Sequence, residues 1–356
     1  MAVALLAVSL LAPLQAYPAA QESAVSSCEA HLTQARALLG SDPDSAVVLA
    51  LMAEKQMGEL PTAWQKARAL MVLGDAYAAA GGMPDALAAF QRAQLLIDGA
   101  AEDQGADTSF ILARADLQMK FGMLYFDLHE MDKSVLRYND ALSMLDGAHD
   151  ALAPQQLNSR KVQAFNNIAG GYIQRGEYAQ ALPYFKQAVA MNGSLNNLRY
   201  ESALNNNIAI CYMEMGEHDR ADQYFLSALA VRKQTGDVRG QAQVLNNLGK
   251  NQALQGRFPA ARQQFEQALA LGRSVGSLAS MAISLESLST AYDTLGDYKA
   301  AFTAFREYKT LNDSLYSNDA RTTIARMEDK FRRDKEKKVF ELEALRKDAV
   351  NARQRV

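Results

Sequence analysis

Asn166-Asn167, Asn206-Asn207 and Asn246-Asn247 stand at the same point of three similar phrases, FNNIAGGY, LNNNIAIC and LNNLGKNQ. A carboxamide carries both donors and an acceptor, so a row of asparagines suits the alternating N–H and C=O of an extended peptide chain. Asn is also a poor helix former, costing roughly half a kcal/mol against Ala. Six of them within helix-patterned segments are therefore not there for helix stability. Gln163 and Gln243 fall one turn before Asn167 and Asn247, and Lys250 falls three residues after the latter, all toward one side of a helix. With Arg199, Arg239 and Arg273, Lys250 would lend the row a positive edge suited to an acidic partner. The chemistry available is non-covalent capture of a protein or peptide. Two plainer readings stand beside it: amides copied by duplication and left in water, and cations that serve solubility.

No pattern for covalent or metal chemistry appears. The chain has no Gly-rich phosphate loop, HExxH, CxxC or nucleophile elbow. His31, His129, His149 and His218 are scattered, so neither a metal nor a cofactor is expected and the chain reads as a non-enzyme. A formal charge of -3 over 356 residues gives no argument for nucleic acid. Of the two cysteines, Cys211 lies in an apolar run and reads as a small core residue.

The elements that would position the asparagines emerge from spacing. A small residue followed three later by an aromatic recurs as Gly74/Tyr77, Gly122/Tyr125, Ala169/Tyr172 and Ala209/Tyr212, and the series continues at Gly249 and Ser289, with Gln252 and Tyr292 in the aromatic place, in steps of 48, 47, 40, 40 and 40 residues. After each comes a turn with Gly, such as Gly176, Gly216, Gly256 and Gly296, able to end a helix in the left-handed conformation. A second helix follows with Ala, an aromatic four later and usually Ala three after that: Ala86/Phe90/Ala93, Ala181/Phe185/Ala188, Ala221/Phe225/Ala228, Ala261/Phe265/Ala268. Steps of four and three keep one face, so small residues allow close approach and Phe fills the gap. Ser134 and Tyr138 depart from this pattern in the second unit. Phe165, Ile168, Ala169 and Tyr172 make a buried stripe, which leaves Asn167, Gln163 and Gly170 on the opposite side.

This alternation resembles the tetratricopeptide repeat over roughly residues 60–309, with a degenerate first unit in SDPDSAVVLALMAEKQ. The resemblance implies an all-α, right-handed superhelix of about seven helix pairs over 29–309, whose first helices line a concave wall. Asn166, Asn167, Asn206, Asn207, Asn246 and Asn247 would then face a peptide-binding groove with Gln163, Gln243 and Lys250.

The two ends differ. Residues 1–20 open on an apolar stretch that suits either a secretory signal or an apolar N-terminal segment. Residues 310–356 are charged, without Gly or Pro, and place Ile324, Met327 and Phe331, then Leu342, Leu345 and Ala349, on a helical seam. A long coiled-coil helix and a homodimer through it are expected. This tail resembles the helix that links exported repeats to a membrane span and an output domain, a diguanylate cyclase or histidine kinase, in bacterial sensors. The expected setting is a periplasmic sensory region that meets the membrane only through a segment outside this sequence. A soluble cytoplasmic adaptor or scaffold is the alternative, and the basic excess of the tail favours it.

Overall fold

The computed structural model describes residues 16–60, 62–104, 108–148 and 152–314. The chain is all-α, in repeated helix pairs. Among the described residues the helices are α1 Ala16–Leu38, α2 Pro43–Lys55, α3 Ala63–Ala79, α4 Met83–Gln104, α5 Thr108–Asp127, α6 Met131–Gly147, α7 Pro154–Gln174, α8 Tyr178–Leu195 and α9 Leu198–Glu214. They continue with α10 His218–Gln234, α11 Val238–Leu254, α12 Phe258–Ser274 and α13 Leu278–Thr294. The last, α14, is described over 298–314. A 3-10 turn, Met57–Glu59, joins α2 to α3. The chain divides into two compact units, one ending at Met215 and the other starting at Gly216.

Local chemistry sets the helix ends. Asp42 caps α2 through the Ser45 amide, with Pro43 in the first turn. Thr62 and Gln65 cap α3 reciprocally, and Asn197, Asp237 and Ser277 cap α9, α11 and α13. Gly176, Gly216, Gly256 and Gly296 end their helices at positive φ, as their spacing predicts, and Gly236 and Gly276 do the same between successive repeats. His129 and Asn196 take the same conformation in two turns without glycine.

In the first unit α1 packs on α2, α3 on α4, α5 on α6 and α7 on α8, while α1, α3, α5, α7 and α9 also touch in succession. In the second, α11 packs on α12 and α13. The repeated aromatics fill these contacts: Phe90, Tyr138, Phe185, Phe225 and Phe265 are all buried. The rings of Phe90, Tyr138 and Phe265 press on a glycine of the preceding helix, so a Cβ on Gly74 would come within 2.3 Å of the Phe90 ring and one on Gly249 within 2.5 Å of Phe265. The degenerate first unit is real, with Ala46, Ala50 and Ala53 of α2 buried against Cys28, Leu32 and Ala35 of α1. Cys28 and Cys211 are free and buried. Residues 1–15 of the expected signal segment lie outside the described residues, whereas Ala16–Ala20 belong to α1. The expected coiled coil beyond 314 also lies outside them. No described helix is long and apolar enough to cross a membrane.

Candidate functional site

In the first unit, α7 and α9 bring their asparagines together. Asn206 Nδ2 donates to Asn207 Oδ1 at 3.3 Å, Asn207 Nδ2 to Asn166 Oδ1 at 3.2 Å, and Asn166 Nδ2 to Asn167 Oδ1 at 3.2 Å. Asn167 Nδ2 then donates to the Tyr138 hydroxyl of α6 at 3.2 Å. The series opens on a cavity of about 230 Å³ lined by Asn166, Asn167, Gly170 and Asn207, with Met123, Phe126 and Asp127 of α5 and Tyr138 opposite. Each carboxamide has two N–H groups and two acceptor lone pairs. Asn166, Asn167 and Asn207 each use one of either kind within the series, and their half-exposed positions leave the others for a ligand.

Tyr138 anchors the end of this series. Its ring is buried against Gly122, and burial pushes its hydroxyl well above the ordinary tyrosine range despite the Asn167 hydrogen bond. Beside it Ser134 is buried and donates to the Gly122 carbonyl at 2.8 Å. The two departures from the repeat pattern thus form one polar device, a hydroxyl held where an asparagine of the next pair can reach it.

The row differs from expectation in two members. Asn206 and Asn246 are buried, at 3% and 6% exposure, so they occupy the packed side of their helices rather than an open groove face. At about 100° per residue, neighbouring asparagines cannot share a direction, and Asn166 and Asn246 turn toward the first helix of the following pair. Asn246 accepts from the Ser284 hydroxyl of α13 at 3.0 Å. In the second unit Asn247 is half-buried, and Gln243 and Lys250 are exposed on α11.

Gln163 is exposed, donates to the Tyr200 hydroxyl at 2.7 Å, and lines a second cavity of about 540 Å³ in the first unit. Met123 borders both cavities. The larger one is charged: Asp75 pairs with Lys120 at 2.7 Å, and Asp116 holds Arg160 through two contacts of 2.6 and 2.9 Å. Burial raises the Asp75 carboxyl, and Lys120 opposes that rise. Arg68 pairs with Glu29 at 3.2 Å, whereas Arg36 makes no ion pair among the described residues. Burial and the neighbouring Arg68 lower the Arg36 pKa. The positive excess at this cavity therefore lies at Arg36. The expected Arg273 is instead neutralised by Glu307 at 2.7 and 2.9 Å. Sequence reasoning missed this cavity because its charges come from four helices and no charge recurs at one repeat position: Arg68, Asp116 and Gln163 share a place but differ in type, and Lys120 holds the place of Asn167. Among the described residues no group of three or more His, Cys, Asp and Glu could hold a metal.

Three profiles described as tetratricopeptide repeat match the sequence, over residues 162–198, 200–274 and 246–315. With the helix pairs above, they make this chain a tetratricopeptide-repeat protein. Among curated proteins none matches it by sequence. Solved structures similar to it include aspartyl phosphate phosphatase F from Bacillus subtilis, at 16% identity and TM-score 0.60 over 83% of this chain and 73% of that one. A signal transduction ATPase with a tetratricopeptide repeat sensor from Pyrococcus horikoshii is similar at 11% identity and TM-score 0.65, over 84% of this chain and 44% of that one. BtubC from P. vanneervenii is similar at 18% identity and TM-score 0.54, over 64% and 91%. At these identities the likeness is one of fold.

Proposed function

We propose that this chain is a non-catalytic receptor for a peptide or an extended protein segment, held in the groove of the first unit. The carrying observation is the hydrogen-bonded series from Asn206 to Tyr138, which fixes three half-exposed carboxamides along a cavity. Amides locked by one another are preorganised, so little side-chain entropy is lost when a ligand main chain pairs with their remaining groups. The adjoining cavity carries four cations, three of them paired with Glu29, Asp75 and Asp116, and the remaining Arg36 favours a ligand with an acidic group. Panning a random-peptide library on the full chain tests this reading. Enriched peptides should bind at least tenfold more weakly to Asn167→Ala/Asn207→Ala, while equal binding to both proteins would remove it.

We further read the receptor as the exported sensory part of a membrane signalling protein, with a soluble adaptor as the alternative. The N-terminal apolar stretch and the charged tail motivate this reading, and the archaeal ATPase, described as using such repeats as a sensor, offers a parallel of fold. Fractionating cells that express the full gene, with N-terminal sequencing, decides between them. A processed protein outside the cytoplasm favours the sensor, and an unprocessed cytosolic one favours the adaptor.

A further inference from the structure

We propose that the outer face of α14 pairs with the same face of a second copy of this chain. In the second unit the repeated phenylalanine is sealed twice: Phe225 is 0% exposed and Phe265 is 3% exposed. Phe305 holds the same place in α14, four residues after Ala301, yet is 52% exposed. Tyr298 and Phe302 beside it are 71% and 65% exposed. Steps of four and three put all three aromatics on one stripe, while Ala301 and Ala304 face inward. Three contiguous aromatics open to water mark a surface that is covered in use.

The sequence after α14 does not repeat the turn that would favour this chain's own next segment as the cover. In this unit the helix reversals use Gly216, Gly236, Gly256, Gly276 and Gly296, all at positive φ and twenty residues apart. The next place in that series is Tyr316. A residue with a Cβ pays about 1–2 kcal/mol in the left-handed conformation, so a reversal at Tyr316 is costlier than at the five glycines before it. Instead, the apolar stripe continues in sequence. After a polar break at Lys309 and Asn312 come Tyr316, Ala320, Ile324, Met327 and Phe331, again in steps of four and three. An apolar stripe of helical spacing suits an identical stripe, because each apolar residue then meets its own kind. This pairing is independent of what the amide groove binds. It extends the dimer contact expected in residues 310–356 upstream into the repeats.

Sedimentation of the full chain at micromolar concentration tests the proposal. The wild type should be a dimer. Tyr298→Lys/Phe302→Lys, changed at exposed positions only, should dissociate about 100-fold more readily with unchanged helical circular dichroism. As a second probe, Phe302→Cys should form a covalent dimer under mild oxidation, and Leu95→Cys, equally exposed on α4, should not. Cys28 and Cys211 are buried and will not compete. A monomeric wild type, including one with Phe302 shielded by its own tail, would overturn the pairing. So would a double-lysine variant that dimerises as tightly as the wild type, or equal cross-linking at Leu95→Cys.

Discussion

The hydroxyl of Tyr138 is one oxygen atom more than the repeat needs, and it receives the Asn167 amide at 3.2 Å. Tyr138→Phe should keep the ring packing on Gly122 and lose about 1 kcal/mol in urea unfolding. It should also loosen Asn167, so a groove peptide should bind more weakly although Tyr138 remains an aromatic. Equal stability and equal affinity would mean that the hydroxyl is idle. The thiols give a second prediction at this scale. Burial pushes Cys211 up to about 12 from an ordinary value of 9.0, and it raises Cys28 as well, with Glu29 adding to it. The folded chain keeps these protons where the unfolded chain loses them. Their contribution to stability is whole below about pH 9 and is lost as pH rises toward 12, at up to about 1.4 kcal/mol per pH unit for one group. Cys211→Ala should flatten that alkaline slope. Asn167 and Asn207 were legible in the sequence because repetition marked them. Tyr138 registered only as a departure, since its partner comes from the next helix pair and no local pattern announces it.

At the scale of the element, the pairs hold together through a glycine of one helix under an aromatic of the next. A Cβ at Gly74 would lie 2.3 Å from the Phe90 ring, so Gly74→Ala should cost about 1–3 kcal/mol through overpacking. Phe90→Leu vacates part of that space, and the double variant should recover some of the loss, a coupling that a double-mutant cycle measures. Additive losses would show that the contact is not where the strain falls. Helix order and most boundaries were readable because the small-residue and aromatic places recur and Gly closes the turns. The turn at His129 was not, since a left-handed residue other than Gly or Asn carries no reliable signal. The burial of Asn206 and Asn246 also escaped the sequence. A period of 3.6 residues places a side chain on a face, but the next helix decides whether that face is open.

Across the whole molecule, contacts run between helices near in sequence: α4, for example, touches α3 and α5. Stability should therefore be local. Phe90→Ala, worth about 3–5 kcal/mol, should lower hydrogen-exchange protection in α3–α5 and leave α11–α13 as protected as before. Uniform loss along the chain would contradict this. The charged cavity was illegible from sequence for a related reason: Arg36, Asp75, Lys120 and Arg160 lie on four helices and meet only when these stack. The account as a whole rests on recognition of a peptide main chain by Asn166, Asn167 and Asn207. The most direct measurement is calorimetric titration of one enriched groove peptide against copies N-methylated at single backbone amides. At least one central methylation should weaken binding tenfold or more in the wild type, with a much smaller effect in Asn167→Ala/Asn207→Ala. Methylated and unmodified peptides binding alike at every position would contradict it.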